Sequence, residues 1–282
     1  MVEEFLVPMA WSVVYILEGF VLLWIAKAAY TRIYRRVDLK AALFERNNHA
    51  LAVSTSGYLL GVVIALGGVL GGSSGGWKAD LASIAFSGGE AIVLMLIASF
   101  VCEKLLLPHF NNTVEVVDKD NLGAAFVEAG VHVANGLIVL AVNQGTGEHW
   151  IGLIFWLLAQ AVLILFGLLY EAMTPHRIHN ELHQANAAVG LALGGALVGM
   201  GNVISLAVSG DFLGWQDSLV SFIAYAVFGC LVLAIIKKLT DLLLAPGVKL
   251  ADEQTEGSPN VGAGLLEAFG YVGGSMLIVW VL

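Results

Sequence analysis

A helical protein that crosses a membrane eight times is the fold this sequence predicts, and three observations carry the prediction. Of the 282 residues, 59% are hydrophobic and 12% charged, about half the charged fraction of a soluble domain. The apolar residues come in blocks such as Val62–Leu70, Ala91–Val101 and Ile151–Leu169. With their flanks these blocks can cross roughly 30 Å of hydrocarbon. The segments between blocks alternate in charge along the chain. A soluble helical core is disfavoured, because too few polar residues remain to coat its surface.

The first span, near 9–31, follows MVEEFLVPMAW. Acids stand there where a cleavable signal peptide needs a basic start, so the span is expected to stay in the protein. Lys27 lies within it and can extend its stem toward water. Arg32, Arg35, Arg36, Lys40 and Arg46 follow. The second span, 48–71, closes on GGSSGGWKAD. The third, 81–107, ends at Lys104, with Lys119 beyond. The fourth, 121–143, closes on NQGTGEH. The fifth, 150–173, runs to Arg177. The sixth, 186–209, closes on SGDFLGWQD. The seventh, 217–240, ends at Lys237 and Lys238, with Lys249 beyond, and the eighth covers 260–282. Eleven of the 13 basic residues thus fall on the side reached after odd-numbered spans. The positive-inside rule places that side in the cytoplasm and both termini outside. Trp77, Trp150 and Trp215 fall in or beside the three short outer connections, where interfacial tryptophan acts as an anchor.

The net charge of −9 argues against nucleic acid as a partner. Cys102 and Cys230 stand alone in apolar runs, with neither a disulfide framework nor zinc spacing. No cofactor motif is present.

The spans repeat. Aligned on asparagine, the even-numbered ones read NHALAVSTSGYLLG from Asn48, NLGAAFVEAGVHVA from Asn121, NAAVGLALGGALVG from Asn186 and NVGAGLLEAFGYVG from Asn260. A glycine stands nine residues after the asparagine in three copies, Gly57, Gly130 and Gly195; the fourth has Phe269, then Gly270. A small residue stands thirteen after it in all four. Asn48 to Asn186 is 138 residues and Asn121 to Asn260 is 139, so a unit of two hairpins is duplicated, over 1–145 and 146–282. All hairpins enter from the same side, as parallel repeats. A pseudo-fourfold ring and a pseudo-twofold bundle of two four-helix units both fit. The pairs Gly57/Gly61, Gly130/Ala134, Gly195/Gly199 and Gly270/Gly274 are small-xxx-small motifs that let helices approach closely in lipid. Each asparagine can cap its helix or touch a ligand.

A charged turn, then asparagine with small residues close behind it, then two small positions on an apolar helix, as in VDKDNLGAAFVEAG and HQANAAVGLALGGALVG, resembles the bacterial inner-membrane family catalogued as domain of unknown function 350. The resemblance covers nearly the whole chain as two tandem copies. It implies a bacterial inner-membrane protein associated with envelope-stress partners, and it supplies no activity and no catalytic residues. The fourth hairpin departs from the pattern at Phe269.

Four glutamates lie within spans and away from the span ends. Glu18 and Glu90 each precede a basic residue by fourteen positions, roughly 21 Å from the cytoplasmic end. Gln160 takes the matching place in span five. Glu128 and Glu267 stand seven past their asparagines, roughly 10 Å deep. A carboxylate in hydrocarbon must be protonated, paired or facing water. Glu128, His132 and Asn135 share one helix face, and Glu267 and Tyr271 repeat the first two places. Such a group can relay a proton or hold a cation; it can equally be a buried network that fixes helix register. His176, His179 and His183 recur at i, i+3, i+7, a spacing open to a metal, although a solvated helix explains it as well. Ser54 in STSG lacks a base by sequence logic, and no P-loop or G-x-S-x-G elbow occurs, so an enzyme is not expected.

The leading expectation is an ion channel or a proton- or cation-linked transporter. Glu128, His132, Asn135, Glu267 and Tyr271 would form an inner polar site, and Glu18, Glu90 and Gln160 an outer one. The alternative is a non-transporting structural or regulatory membrane subunit whose basic loops dock a cytoplasmic partner. The sequence leaves association into a homo-oligomer open.

Overall fold

The computed structural model describes residues 2–34, 36–71, 74–107, 110–145 and 148–282. Met1, Arg35 and parts of three connections, at 72–73, 108–109 and 146–147, lie outside the described residues. Among the described residues, eight long helices are apolar enough to cross a membrane: α1 (Val2–Ala29), α2 (His49–Leu70), α3 (Trp77–Leu106), α4 (Leu122–Gln144), α5 (His149–Met173), α7 (Ala187–Val208), α8 (Trp215–Leu239) and α10 (Val261–Val281). Two short helices, α6 (Ile178–His183) and α9 (Leu250–Glu253), lie in the basic connections. Single π-helical turns extend α1 over Tyr30–Tyr34 and α8 over Thr240–Leu244, and two more, Ala41–Glu45 and Val114–Asp118, lead into α2 and α4.

The helices form two layers. The even-numbered spans α2, α4, α7 and α10 pack side by side in a row. The odd-numbered spans cover it: α3 lies against α2 and α4, α5 against α4 and α7, α8 against α7 and α10, and α1 against α2 and α3. Glycine makes the row possible. A Cβ added to Gly57 would sit 2.5 Å from Ala129, one on Gly130 would sit 2.5 Å from Gly194 Cα, and one on Gly195 would sit 2.5 Å from Ala268 Cβ. Further along, Gly61 faces His132, Ala134 faces Gly201 and Gly199 faces Tyr271. Contacts that advance together along both helices make the row parallel, as like-facing hairpins require. Close backbone approach is what holds helices in lipid, where apolar surface gains little by leaving the solvent.

The junction between the two units, α4 on α7, is built like the pairs within units. The row nevertheless stays open rather than closing into a ring, because α10 makes no comparable packing with α2. Phe269 shows why. It stands where α4 has Gly130 and points outward, 62% exposed. The Gly270/Gly274 pair accordingly faces Thr240 and Ile236 at the end of α8, and not a further helix of the row.

The repeated asparagines are N-caps. Each is extended, and its side chain accepts from a backbone N–H of the first turn: Leu51, Ala124, Val189 and Ala263 respectively. They also tie consecutive hairpins together. Asn48 Nδ2 donates to the carbonyls of Val116 (3.0 Å) and Val117 (2.9 Å), Asn121 Nδ2 to Leu182 (2.6 Å) and Asn186 Nδ2 to Gln254 (2.9 Å). Each acceptor lies in the turn leading into the next helix of the row. Asp120 returns the contact, accepting from Ala50 N at 2.7 Å. The residue before the asparagine is left-handed in three copies, Asn47, Asp120 and Ala185; the fourth has Pro259, whose ring fixes φ negative.

Candidate functional site

Glu128 is buried on α4, 5% exposed. Helices of its own unit surround it. Ser54 of α2 donates to its carboxylate. The Tyr30 hydroxyl, from the turn that ends α1, is 2.7 Å from Ser54 Oγ and 3.5 Å from His132 Nε2. His132 Nδ1 lies 3.1 Å from Ser99 Oγ of α3, and Ser99 donates back to the Met95 carbonyl at 2.7 Å. Tyr30 stacks on Tyr58, and both meet the imidazole edge-on. These rings wall the site with apolar surface.

The hydrogen count fixes what this chain can do. A hydroxyl has one hydrogen to give. Ser99 gives its own to Met95, so His132 Nδ1 carries a proton and donates to Ser99. Ser54 gives its own to Glu128, so Tyr30 gives its own to Ser54, and the Tyr30 oxygen can then only accept from His132 Nε2–H. That order joins a Glu128 carboxylate to a His132 imidazolium through two hydroxyls. The reverse order, Glu128 to Ser54 to Tyr30 to His132 Nε2, leaves a neutral carboxyl and a neutral imidazole. The two orders differ by one proton moved over three links, with no side chain displaced. The 3.5 Å link is the weakest.

Asn135 shares the face but not the chain. Its Nδ2 donates to the Val131 carbonyl one turn back, at 2.9 Å, and it lies beside Cys102.

Glu267 does not join Glu128. The two sit on α10 and α4, with α7 between them, and each faces its own unit. The single inner site expected from the sequence is therefore two sites. The reason is the row: each glutamate turns toward partners in its own unit, Ser54 of α2 for Glu128 and Tyr170, Lys237 and Gln254 for Glu267. At Glu267, 1% exposed, Tyr170 donates at 2.9 Å and Gln254 at 2.6 Å, and Lys237 Nζ stands 3.1 Å away over the Tyr170 ring. This carboxylate is ion-paired and pinned. Tyr271 packs edge-on against Tyr170.

The outer trio is not assembled either. Glu90 pairs with His149 at 2.7 Å. Glu18 is half-buried on α1. Gln160 is 4% exposed on α5, and neither of its amide atoms has a hydrogen-bond partner. These residues stand on three helices spread along the outer layer, so equal depth does not bring them together.

The histidines of 176–183 diverge: His179 bonds Glu171 at 2.6 Å, and His183 packs on Phe110 beside Glu115. No metal-binding cluster occurs among the described residues. Sequence reasoning passed over Tyr30, Ser99, Tyr170, Lys237 and Gln254, and set Ser54 aside as lacking a partner. Tyr30 and Tyr170 could have been found, since each ends the first span of its unit.

On the basic side, Glu115 accepts from Lys119 (2.7 Å) and from the repeat asparagine Asn121 (3.0 Å). Burial pushes its carboxyl up, but the Lys119 and Asn121 hydrogen bonds and the Lys119 charge outweigh burial and leave it below its ordinary value. A depressed carboxyl contributes stability above its unfolded value of about 4.3 and loses it as pH falls through the lowered value. Thermal melts of Glu115→Gln and wild type should therefore differ most at neutral pH and converge below about pH 4.

The profile of the family described as Domain of Unknown Function (DUF350) matches residues 3–142 and again 146–282. A UPF0719 transmembrane protein of Aquifex aeolicus (strain VF5) is 22% identical over 277 residues, 94% of this chain and 100% of the relative. No solved structure matches. Eight membrane-crossing helices, a doubled asparagine-led hairpin unit and a profile that fits each half in turn place this chain in the DUF350 family, with two tandem copies of its domain.

Proposed function

We propose that this integral membrane protein moves protons, alone or coupled to a small cation, and that Glu128 is the proton-binding group. The supporting observation is the continuous chain from Glu128 through Ser54 and Tyr30 to His132. A buried carboxylate and an imidazole linked by hydroxyls can exchange a proton inside a dry protein, which is costly for either group alone. In this reading the basic loops face the cytoplasm of a bacterium, both termini lie outside, and Glu128 loads from the cytoplasmic side.

Proteoliposomes with an internal pH dye test it. Glu128→Gln should cut flux at least about 100-fold, the scale of a lost proton-transfer group, with the melting temperature nearly unchanged. Wild-type liposomes no leakier than empty ones would end the proposal.

A second reading, a structural or regulatory subunit that docks a partner on its basic side, draws on Glu267, where Lys237 makes the acid an anchor. It expects loss of folding and no flux phenotype from either glutamate.

A further inference from the structure

Beside Glu128 lies a cavity of about 10 Å³ lined by Ser99, Glu103, Asn112, Glu128 and His132 together with apolar groups. That volume is about the size that admits one water. Asn112 is 3% exposed, and its Oδ1 lacks a hydrogen-bond partner, so an acceptor is buried at the cavity without a donor. Glu103 is the outermost carboxylate of the group. It sits in the last turn of α3, next to Lys104, its side chain 9% exposed.

The second unit shows this place in another form. Ile84, Gly88, Ala91, Met95 and Cys102 are buried as Phe222, Ala226, Gly229, Leu233 and Thr240 are, each pair 138 residues apart, which puts Asp241 in the position of Glu103 and Lys237 in that of Ser99. Asp241 lies within electrostatic reach of Glu267, and Lys237 reaches Glu267 directly. Both units therefore set a second carboxylate near the buried glutamate; one adds a lysine between them, and the other a water-sized gap.

We propose that the cavity holds one exchangeable water and that Glu103 is the group through which Glu128 trades its proton with the basic side. This deepens the reading of Glu128 as a proton carrier and rests on it. The water donates one hydrogen to Asn112 Oδ1 and the other to one carboxylate, and accepts from the protonated carboxyl. For transfer, the Glu128 O–H bond breaks as the water accepts that proton, and a water O–H bond breaks as its hydrogen passes to the Glu103 carboxylate. The water is restored, and the charge moves from Glu103 to Glu128.

The titratable groups around the pair are Tyr30, Tyr58, Cys102, Lys104 and His132; of these only His132 ordinarily titrates near neutral pH. The experiment therefore uses the full chain in lipid on a His132→Asn background, and follows the protonated-carboxyl stretch by infrared spectroscopy across pH. Two carboxyls sharing a proton titrate in two coupled steps. Glu103→Gln should leave one step, displaced by at least about one pH unit, and Glu103→Asp should retain two. Val127→Ile fills the gap without touching a carboxylate and should weaken the coupling in the same direction. In liposomes, Glu103→Gln should slow proton uptake from the basic side about tenfold, a barrier change of roughly 1.4 kcal/mol. A Glu128 titration unmoved by both Glu103→Gln and Val127→Ile overturns the inference. Coupled titration without any wild-type flux would uphold the shared proton while removing the transport reading, so the two failures can be told apart.

Discussion

Gly130→Ala should unfold or badly destabilise the protein, although it adds one methyl group to a helix. In an unconstrained helix the change is favourable by about 1 kcal/mol. Here the new Cβ would lie 2.5 Å from Gly194 Cα and closer still to the Gly194 carbonyl. These atoms are backbone and cannot rotate away, so α4 and α7 must separate. Opening that junction also loosens the contacts above and below it, where Gly123 meets Gly190 and Gly201 meets Ala134. Overpacking costs about 1–3 kcal/mol where side chains can yield, and a loss of at least about 3 kcal/mol is expected where they cannot. Gly89→Ala is the control, because a Cβ there meets nothing within 4 Å. Detergent melts should show the two substitutions moving stability in opposite directions. Equal effects would mean that the row is not held by close backbone approach.

Lys237→Met should produce the second large effect. It leaves Glu267, 1% exposed, without its cation, and breaking a buried pair from one side costs about 3–5 kcal/mol. Tyr170 and Gln254 still donate to the carboxylate, and Lys237 is itself 25% exposed, so the lower end of that range is expected. Adding Glu267→Gln should restore most of the loss, since the remaining amide can still bond Tyr170 and needs no counter-charge. Glu128→Gln should behave differently. Its carboxylate accepts from the Ser54 hydroxyl of a neighbouring helix, and its effect belongs in flux. Equal stability losses at both glutamates, with unchanged flux, would favour the purely structural reading of both units.

The open row and the two separate acid sites could not be read from spacing alone. Phe269 was visible as a departure from the glycine pattern, but its meaning, the end of a row, depends on knowing that Gly130 faces the next helix. The equivalence of Glu103 and Asp241 was harder to see because the odd-numbered spans have no asparagine to align on. Ser54 was dismissed because its partner lies 74 residues away, on a helix whose rotation no local pattern gives. Capping was one of the two roles the asparagines allowed, and the structure shows it; their ties to the next hairpin were not legible, since those acceptors are backbone carbonyls and leave no trace in residue type.

The sequence by itself determined the number of spans, the like-facing hairpins, the doubled unit and the family. Each of these follows from properties carried by a segment alone: the free energy of moving side chains into hydrocarbon, the charge of a loop, and the recurrence of small residues. The tertiary structure decided which helix each glutamate faces, that one acid is wired through hydroxyls while the other is locked to lysine, and that the row ends at Phe269. Those outcomes depend on rotation and register between helices far apart in sequence, where a shift of one residue turns a side chain by 100°.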